Sequence, residues 1–163
     1  MSEDFDPARL IDALQGNAVT FVVIGGIAVA GHGAPRVTLD LDICYAHNAD
    51  NLKNLAAALR ELNARLRGAP ADVPFLLDDR TLAAGDHFTF STDAGDLDVM
   101  ATPAGTKGYG ELAVNADRAE LMGRTFLIAS VEDLIRMKRV AGRQKDSDAL
   151  FYLEAIRDEL EGR

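Results

Sequence analysis

The sequence predicts an α/β (α+β) fold in which helices, including two at the C-terminal end, flank a small mixed β-sheet. Three patterns indicate this. Phe21–Ile24 is a short apolar run rich in β-branched residues that stops at a glycine pair, which is typical of a buried strand. Apolar residues at helical spacing recur in the middle of the chain and near its end. Two extended segments between these helices carry acidic residues at alternate positions, which places the acids on one face of a strand.

Composition limits the setting and the class of protein. With 163 residues and 48% hydrophobic content, residues 1–163 are expected to form one domain. A net charge of −9 argues against a broad nucleic-acid-binding surface, which depends on basic residues. The single cysteine, Cys44, excludes an intramolecular disulfide, and no secretion signal or membrane-spanning run of about 20 apolar residues is present. We therefore expect a cytoplasmic protein without a membrane partner.

Each element is predicted from apolar periodicity, capping residues and glycine or proline breaks. In the last helix, the expected buried positions are Ala149, Leu153, Ile156 and Leu160. In chain order the predicted elements are helix Asp6–Leu14 ended by Gly16, strand Phe21–Ile24, short helix Ile27–Gly31 followed by Gly33 and Pro35, an extended segment from Val37, helix Asn48–Leu66, short strand Phe75–Leu77, a hairpin of His87–Ser91 and Leu97–Ala101, helix Leu112–Asn115, strand Thr125–Ala129, a helix capped by Ser130, and a final helix from near Asp146.

The extended segment after the glycine pair has a chemically unusual face. Strand alternation places Thr38, Asp40, Asp42 and Cys44 on one side. Two neighbouring carboxylates are costly unless a cation neutralises them, and a divalent metal is the simplest candidate. The alternatives are that the acids lie solvated on an exposed face, that the Gly25-Gly26 pair is only a tight turn, and that Cys44 is a core residue.

The second acidic strand repeats this pattern, since Asp96 and Asp98 share a face of the predicted hairpin. Three carboxylates from two adjacent strands form a compact site for oxygen-preferring cations. Either Asp96 or Asp98 can instead be an acid at a hairpin end. In the helix after Ser130, Lys138 falls on the apolar, inward face, where it either reaches a ligand or extends from the core edge to water.

These motifs together resemble the nucleotidyltransferase superfamily with the DNA polymerase β-type catalytic fold. More narrowly, the chain is similar to small bacterial proteins of the AbiEii toxin branch, from about residue 20 to residue 156. The motifs that carry the resemblance are Gly25-Gly26, Thr38-Leu-Asp40-Leu-Asp42, Gly95-Asp-Leu-Asp98 and the segment from Ser130 through Lys138 and Arg143 to Asp146.

The resemblance implies transfer of a nucleoside monophosphate from a nucleoside triphosphate to an acceptor hydroxyl. By position, Asp40, Asp42 and Asp98 would hold Mg²⁺ or Mn²⁺, with Asp98 also helping to deprotonate the acceptor. The remaining candidates would bind the triphosphate. They are Gly25, Gly26, Thr38, Lys138 and Arg143.

One position departs from the pattern, because many active members have a serine directly after the glycine pair and this chain has Ile27. Several readings follow from the resemblance. The acceptor would be an RNA such as tRNA, a protein or a small molecule. The chain would be the toxin of a toxin–antitoxin pair, with an antitoxin as partner, and a homodimer is a separate expectation. The alternative to an enzyme is a catalytically inactive nucleotide-binding or partner-binding protein of the same fold, and a third reading is an antibiotic-modifying enzyme. Asp146 has either a role in catalysis or only that of capping the last helix.

Overall fold

The computed structural model describes residues 5–34, 37–70, 75–142 and 147–162, with the backbone alone at 147 and 148. These residues form seven helices and seven strands. The helices are α1 (Pro7–Gly16), α2 (Gly25–Gly31), α3 (Ala49–Glu61), α4 (Asp79–Ala83), α5 (Tyr109–Asn115), α6 (Val131–Ala141) and α7 (Ser147–Glu161). The strands are β1 (Phe21–Ile24), β2 (Asp40–Tyr45), β3 (Arg65–Leu66), β4 (His87–Thr92), β5 (Gly95–Met100), β6 (Asp117–Leu121) and β7 (Arg124–Ile128).

All of these strands join one sheet in the order β3-β4-β5-β2-β1-β7-β6. Strands β2 and β5 pair in parallel, as do β1 and β7, whereas the other four neighbouring pairs are antiparallel. The predicted mixed sheet flanked by helices is therefore confirmed. The topology also places the two acidic strands, β2 and β5, side by side at the centre of the sheet, although β3 and β4 lie between them in the sequence.

The two faces of the central strands differ in character. Leu41 and Ile43 of β2 are fully buried, as are Leu97 and Val99 of β5, and they belong to the main hydrophobic core. The acidic residues alternate with them and are partly exposed. Cys44, beyond the acids on their face, is also fully buried, so its reading as a core residue fits the structure. One face of the sheet is thus closed by packing, and the other opens where the acids stand.

Local sequence signals place most of the elements correctly. Ser130 caps α6 by accepting a hydrogen bond from the Asp133 backbone N–H, as its sequence predicts. The hairpin of β4 and β5 also forms as predicted. The short helix after β1 begins at Gly25 rather than at Ile27, so the glycine pair lies inside its first turn. None of the described helices combines the length and the apolar content that crossing a membrane requires.

Other expectations were wrong, two of them for a tertiary reason. The long helix ends at Glu61, not at Leu66, because Arg65–Leu66 pairs with β4 as the edge strand β3. Phe75–Leu77 is not a strand; its Phe75 ring instead packs against the aromatic residues of β4. Leu160 is 55% exposed, so the buried side of α7 is shorter than its periodicity indicated. Helix α4 and strand β6 were not predicted.

Asn51 is a buried polar residue that ties α3 to the central strands. Its side-chain oxygen accepts a hydrogen bond from the Thr20 backbone N–H at 2.7 Å. Its amide nitrogen donates to the carbonyl oxygens of Thr20 at 3.0 Å and Ala46 at 2.8 Å. Because Thr20 precedes β1 and Ala46 follows β2, this one side chain satisfies the backbone where both strands reach the same edge.

We expect Asn51→Ala to lower the free energy of unfolding by about 2–4 kcal/mol, because the buried Ala46 carbonyl and two partly buried backbone groups of Thr20 lose their partner. Asn54→Ala is the matched control, since Asn54 lies one turn further along α3 and donates one solvent-exposed hydrogen bond of 3.2 Å to the Ala18 carbonyl. Its loss should cost about 1 kcal/mol or less. Urea titrations of both variants measure the difference, and equal losses would contradict the role given to Asn51.

Candidate functional site

The parallel register of β2 and β5 brings the acidic residues of the two strands together. Asp42 lies opposite Asp98, and Asp40 lies opposite Asp96. One carboxylate oxygen each from Asp40, Asp42 and Asp98 lies within 4.8 Å of the other two. The three acids proposed from sequence therefore converge, whereas Asp96 is outside this group and its side chain is 43% exposed.

Asp42 is the member of the group that is least compatible with a bare negative charge. Burial raises the pKa of Asp42 to about 8, with further upward contributions from the charges of Asp40 and Asp98, while Lys138 opposes them. Its Oδ1 is buried and has no hydrogen-bond partner among the described residues. A buried carboxylate oxygen without a donor is costly unless a proton or a cation occupies the place beside it.

This donor set fits a divalent metal ion. All three ligands are carboxylates, the type that Mg²⁺ and Mn²⁺ prefer, and their oxygens are near enough to share ions. A bound cation would also reverse the electrostatics of Asp42, because attraction to a double positive charge favours its ionised form. The structure therefore brings together the three carboxylates that a divalent cation would need, as the sequence pattern suggested.

Gly25 makes room for Asp42 at the start of α2. Its φ angle is +70°, in the left-handed region that other residues rarely adopt. A Cβ atom at this position would lie 2.2 Å from Asp42 Oδ2. Both the backbone turn and the close approach of the carboxylate thus require glycine here.

Gly26 and Thr38 pack against each other next to the Gly25 turn. A Cβ on Gly26 would lie 3.0 Å from the Thr38 Cβ, so the two residues are in close contact. The Thr38 hydroxyl donates to the Asp40 carbonyl oxygen at 2.8 Å, which fixes the chain just before β2. Among the described residues, neither belongs to the lining of the cleft in which the acids lie.

That cleft has a volume of about 380 Å³ and is bounded by β1, the acidic strands, the loop after β5 and helix α6. Lys138 lines it together with Leu134, Met137 and Ala141, so the lysine lies on the side of α6 that its spacing indicated. Asp86 and His87, where β4 begins, also line the cleft and were not identified from sequence. Arg143 and Asp146, both named from sequence, lie outside the described residues.

The two arginines of α6, Arg136 and Arg139, each pair with acidic residues outside the cleft. Arg136 pairs with Glu111 at 2.7 Å and Asp133 at 3.0 Å. Arg139 pairs with Glu154 of α7 at 3.1 Å. Of the described basic residues on this helix, Lys138 is therefore the one that lines the cleft.

Arg67 is the residue of this region that sequence reasoning missed. Its Nη2 donates to Asp98 Oδ1 at 2.7 Å, and its Nε lies 3.4 Å from Asp96 Oδ2. Asp98 is thus both a member of the carboxylate group and one half of an ion pair. No local pattern signals this contact, because it depends on β3 forming and pairing with β4.

No protein-family model matches the chain, and no curated protein matches it. Solved structures do. The lincosamide antibiotic adenylyltransferase LnuA with lincomycin bound has a TM-score of 0.61 at 15% identity, covering 94% of this chain and 99% of that one. ANT(2'')-Ia in complex with adenylyl-2''-tobramycin gives 0.59 at 16% identity, covering 96% and 95%. A candidate nucleotidyltransferase from Thermotoga maritima gives 0.58 at 16% identity, covering 96% and 91%.

At these identities the likeness establishes the fold. The chain has the fold of nucleotidyltransferases, and the match extends over nearly all of its length. This agrees with the broader resemblance drawn from its motifs. The narrower resemblance to the AbiEii toxin branch is not tested by these structures.

We expect Gly25→Ala to destabilise the protein by at least about 1 kcal/mol more than Gly123→Ala. Both glycines have similar left-handed φ angles, +70° and +74°, so both variants carry the same backbone strain. Nothing lies within 4 Å of a Cβ at Gly123, whereas one at Gly25 meets Asp42. Denaturant titration gives the two losses, and equal values would refute the close approach of Asp42.

The raised pKa of Asp42 predicts a pH dependence of stability without added metal. Between its unfolded value of 3.8 and its folded value of about 8, the folded state holds a proton that the unfolded state has released. This stabilisation is full below about pH 4 and is lost as the pH rises to 8. Asp42→Asn cannot titrate, so its Tm should exceed that of the wild type by several degrees at pH 8 and by much less at pH 5. Thermal melts in chelator measure both differences, and a pH-independent difference would contradict the assignment.

Proposed function

We propose that the chain is a metal-dependent nucleotidyltransferase, which moves a nucleoside monophosphate from a nucleoside triphosphate to an acceptor hydroxyl. The observation that carries this proposal is the convergence of Asp40, Asp42 and Asp98 in a cleft that Lys138 also lines. Phosphoryl chemistry depends mainly on positioning and on stabilisation of negative charge. The fold supports the proposal, since it is the fold of nucleotidyltransferases.

Each side chain has a role in this proposal. Asp40 and Asp42 would hold Mg²⁺ or Mn²⁺, which would supply positive charge that stabilises the negative charge of the phosphates. The acceptor oxygen attacks the α-phosphorus, the bond to pyrophosphate breaks, and Asp98 receives the hydroxyl proton while also serving as a metal ligand. Lys138 attracts the triphosphate from the α6 side of the cleft.

The triphosphate contacts proposed at the glycine turn involve the backbone. Ile27 is only 8% exposed and belongs to the hydrophobic core, so its side chain cannot replace the phosphate-binding serine of the related pattern. No side chain caps the start of α2, where the cap position is Ile24. The N–H groups of Gly25 and Gly26 are therefore the donors we assign to phosphate, with Thr38 holding the turn in place and Arg143 as an additional cation.

The acceptor is the less defined half of the reaction. The toxin-like reading proposes an RNA or a protein as acceptor and an antitoxin as partner. The structural comparisons favour testing small molecules as well, since LnuA was solved with lincomycin and ANT(2'')-Ia with an adenylylated tobramycin. A homodimer would be one means of completing an acceptor pocket in a chain of 163 residues.

The test is transfer of label from each α-labelled nucleoside triphosphate with Mg²⁺ or Mn²⁺. Acceptors are total RNA, cell lysate, lincomycin and tobramycin in separate reactions, with pyrophosphate release measured in parallel. Asp42→Asn should lower transfer by at least about 100-fold, because it removes a charged metal ligand from the reacting centre. Asp117→Asn is the matched control, since this 60%-exposed acid lies on the far edge strand β6.

Three results discriminate among the readings. Transfer that requires metal and Asp42 but tolerates Asp117→Asn supports the enzyme. Metal-dependent triphosphate binding without transfer or pyrophosphate release, across all acceptors, supports the catalytically inactive alternative. If the triphosphate does not bind with either metal, the proposal is wrong.

A further inference from the structure

Arg67 lies in the same row of the sheet as the two central acids. Its backbone N–H donates to the Thr89 carbonyl at 2.9 Å, which continues the β3–β4 pairing by one residue. Thr89 pairs with Asp98, and Asp98 pairs with Asp42. Residues paired across strands present their side chains on the same face. Arg67 therefore reaches over β4 toward the acids from the edge of the sheet.

The guanidinium group of Arg67 is held at several points. Its Nη2 donates to Asp98 Oδ1 at 2.7 Å and to the Phe90 carbonyl at 2.8 Å. Its Nε is buried and lies 3.4 Å from Asp96 Oδ2, an ion-pair contact without a hydrogen bond. The side chains of Arg67 and Asp98 are only 33% and 16% exposed, so water screens their interaction less than at an open surface. This arrangement places a permanent positive charge against one of the three carboxylates.

We propose that Arg67 is a resident cation of the metal site, which weakens divalent-cation binding at Asp98 until a triphosphate is present. The inference rests on the proposed function and concerns how that site is loaded. In the apoprotein, Asp40 and Asp42 then take up one cation. A second binds at Asp98 only when the charge of the nucleotide is added.

The charge balance of the site supports this order. When Asp42 is ionised, four carboxylates, the three of the cleft and the Arg67 partner Asp96, face two basic groups, Arg67 and Lys138. This leaves two excess negative charges for two doubly charged ions, and Asp86 adds little because it is exposed to water. A triphosphate supplies the missing negative charge. Arg67 also orients Asp98, but β5 and partial burial orient it as well, so repulsion between the guanidinium and the incoming ion is the larger effect.

The experiment is titration of the nucleotide-free protein with Mn²⁺, followed by the electron paramagnetic resonance signal of the free ion. We expect the wild type to bind about one ion tightly. Arg67→Gln should bind a second ion at least about tenfold more tightly than the wild type does, because the repelling charge is gone. Arg67→Lys keeps the charge and should bind Mn²⁺ as the wild type does.

Arg65→Gln is the matched control. It removes the same charge from the same edge strand, but the Arg65 guanidinium contacts the Asn63 carbonyl at 3.1 Å and not the acids. Its Mn²⁺ binding should match that of the wild type. If Arg67→Gln does not fold, judged by circular dichroism, Arg67→Met keeps the apolar stem and takes its place.

The outcomes separate this inference from the proposed function. If Mn²⁺ binding by the wild type is unaffected by Asp42→Asn, the metal site itself is wrong. If Asp42→Asn abolishes binding but removal of the Arg67 charge leaves the second ion no tighter, or weakens it, the inference about Arg67 is overturned while the proposed function stands. An equal gain in Arg65→Gln would also overturn it, because the effect would then be general electrostatics.

Discussion

The structure of the site depends on like charges held side by side at the centre of the sheet. The parallel pairing of β2 with β5 sets Asp42 opposite Asp98, and strand alternation brings Asp40 to the same face. Their mutual repulsion adds to the cost of burial, and the pKa of Asp42 rises to about 8 as a result. A sheet built only for stability would not place acids in these positions. The neighbouring features of the fold reduce this cost or make use of it.

Gly25 and Lys138 are two such features, and each acts directly on Asp42. Gly25 has no side chain where one would collide with Asp42, so the α2 turn approaches the carboxylate directly. Lys138 reaches the cleft from α6 and lowers the pKa of Asp42, which partly offsets its burial. Because Asp42 Oδ1 is buried without a hydrogen-bond donor among the described residues, the balance there is left to a proton or to a metal ion.

Features set by local sequence could be predicted, whereas features set by distant pairing could not. Alternation along a single strand is enough to place Asp40 with Asp42, and the Ser130 cap is encoded within four residues. The end of α3 was misjudged because Arg65–Leu66 gains more by pairing with β4 than by extending a helix, and that gain is invisible without the partner strand. Arg67 was missed for the same reason. The fold class and the acids were thus accessible from sequence, but the charge that pairs with Asp98 was not.

The two basic groups of the site differ in a way that suits different tasks. Lys138 lines the cleft and carries a compact ammonium on a four-carbon stem, a type of group that can adjust to a phosphate as it binds and leaves. Arg67 is a planar guanidinium fixed by a carboxylate and by a backbone carbonyl, so it cannot move toward a ligand without breaking both contacts. In the proposed enzyme, the lysine therefore acts on the substrate, and the arginine acts on the protein's own carboxylate. In this proposal the Asp98 carboxylate has three tasks: it pairs with the fixed Arg67 guanidinium, it binds the metal ion that arrives with the nucleotide, and it accepts the proton of the acceptor hydroxyl.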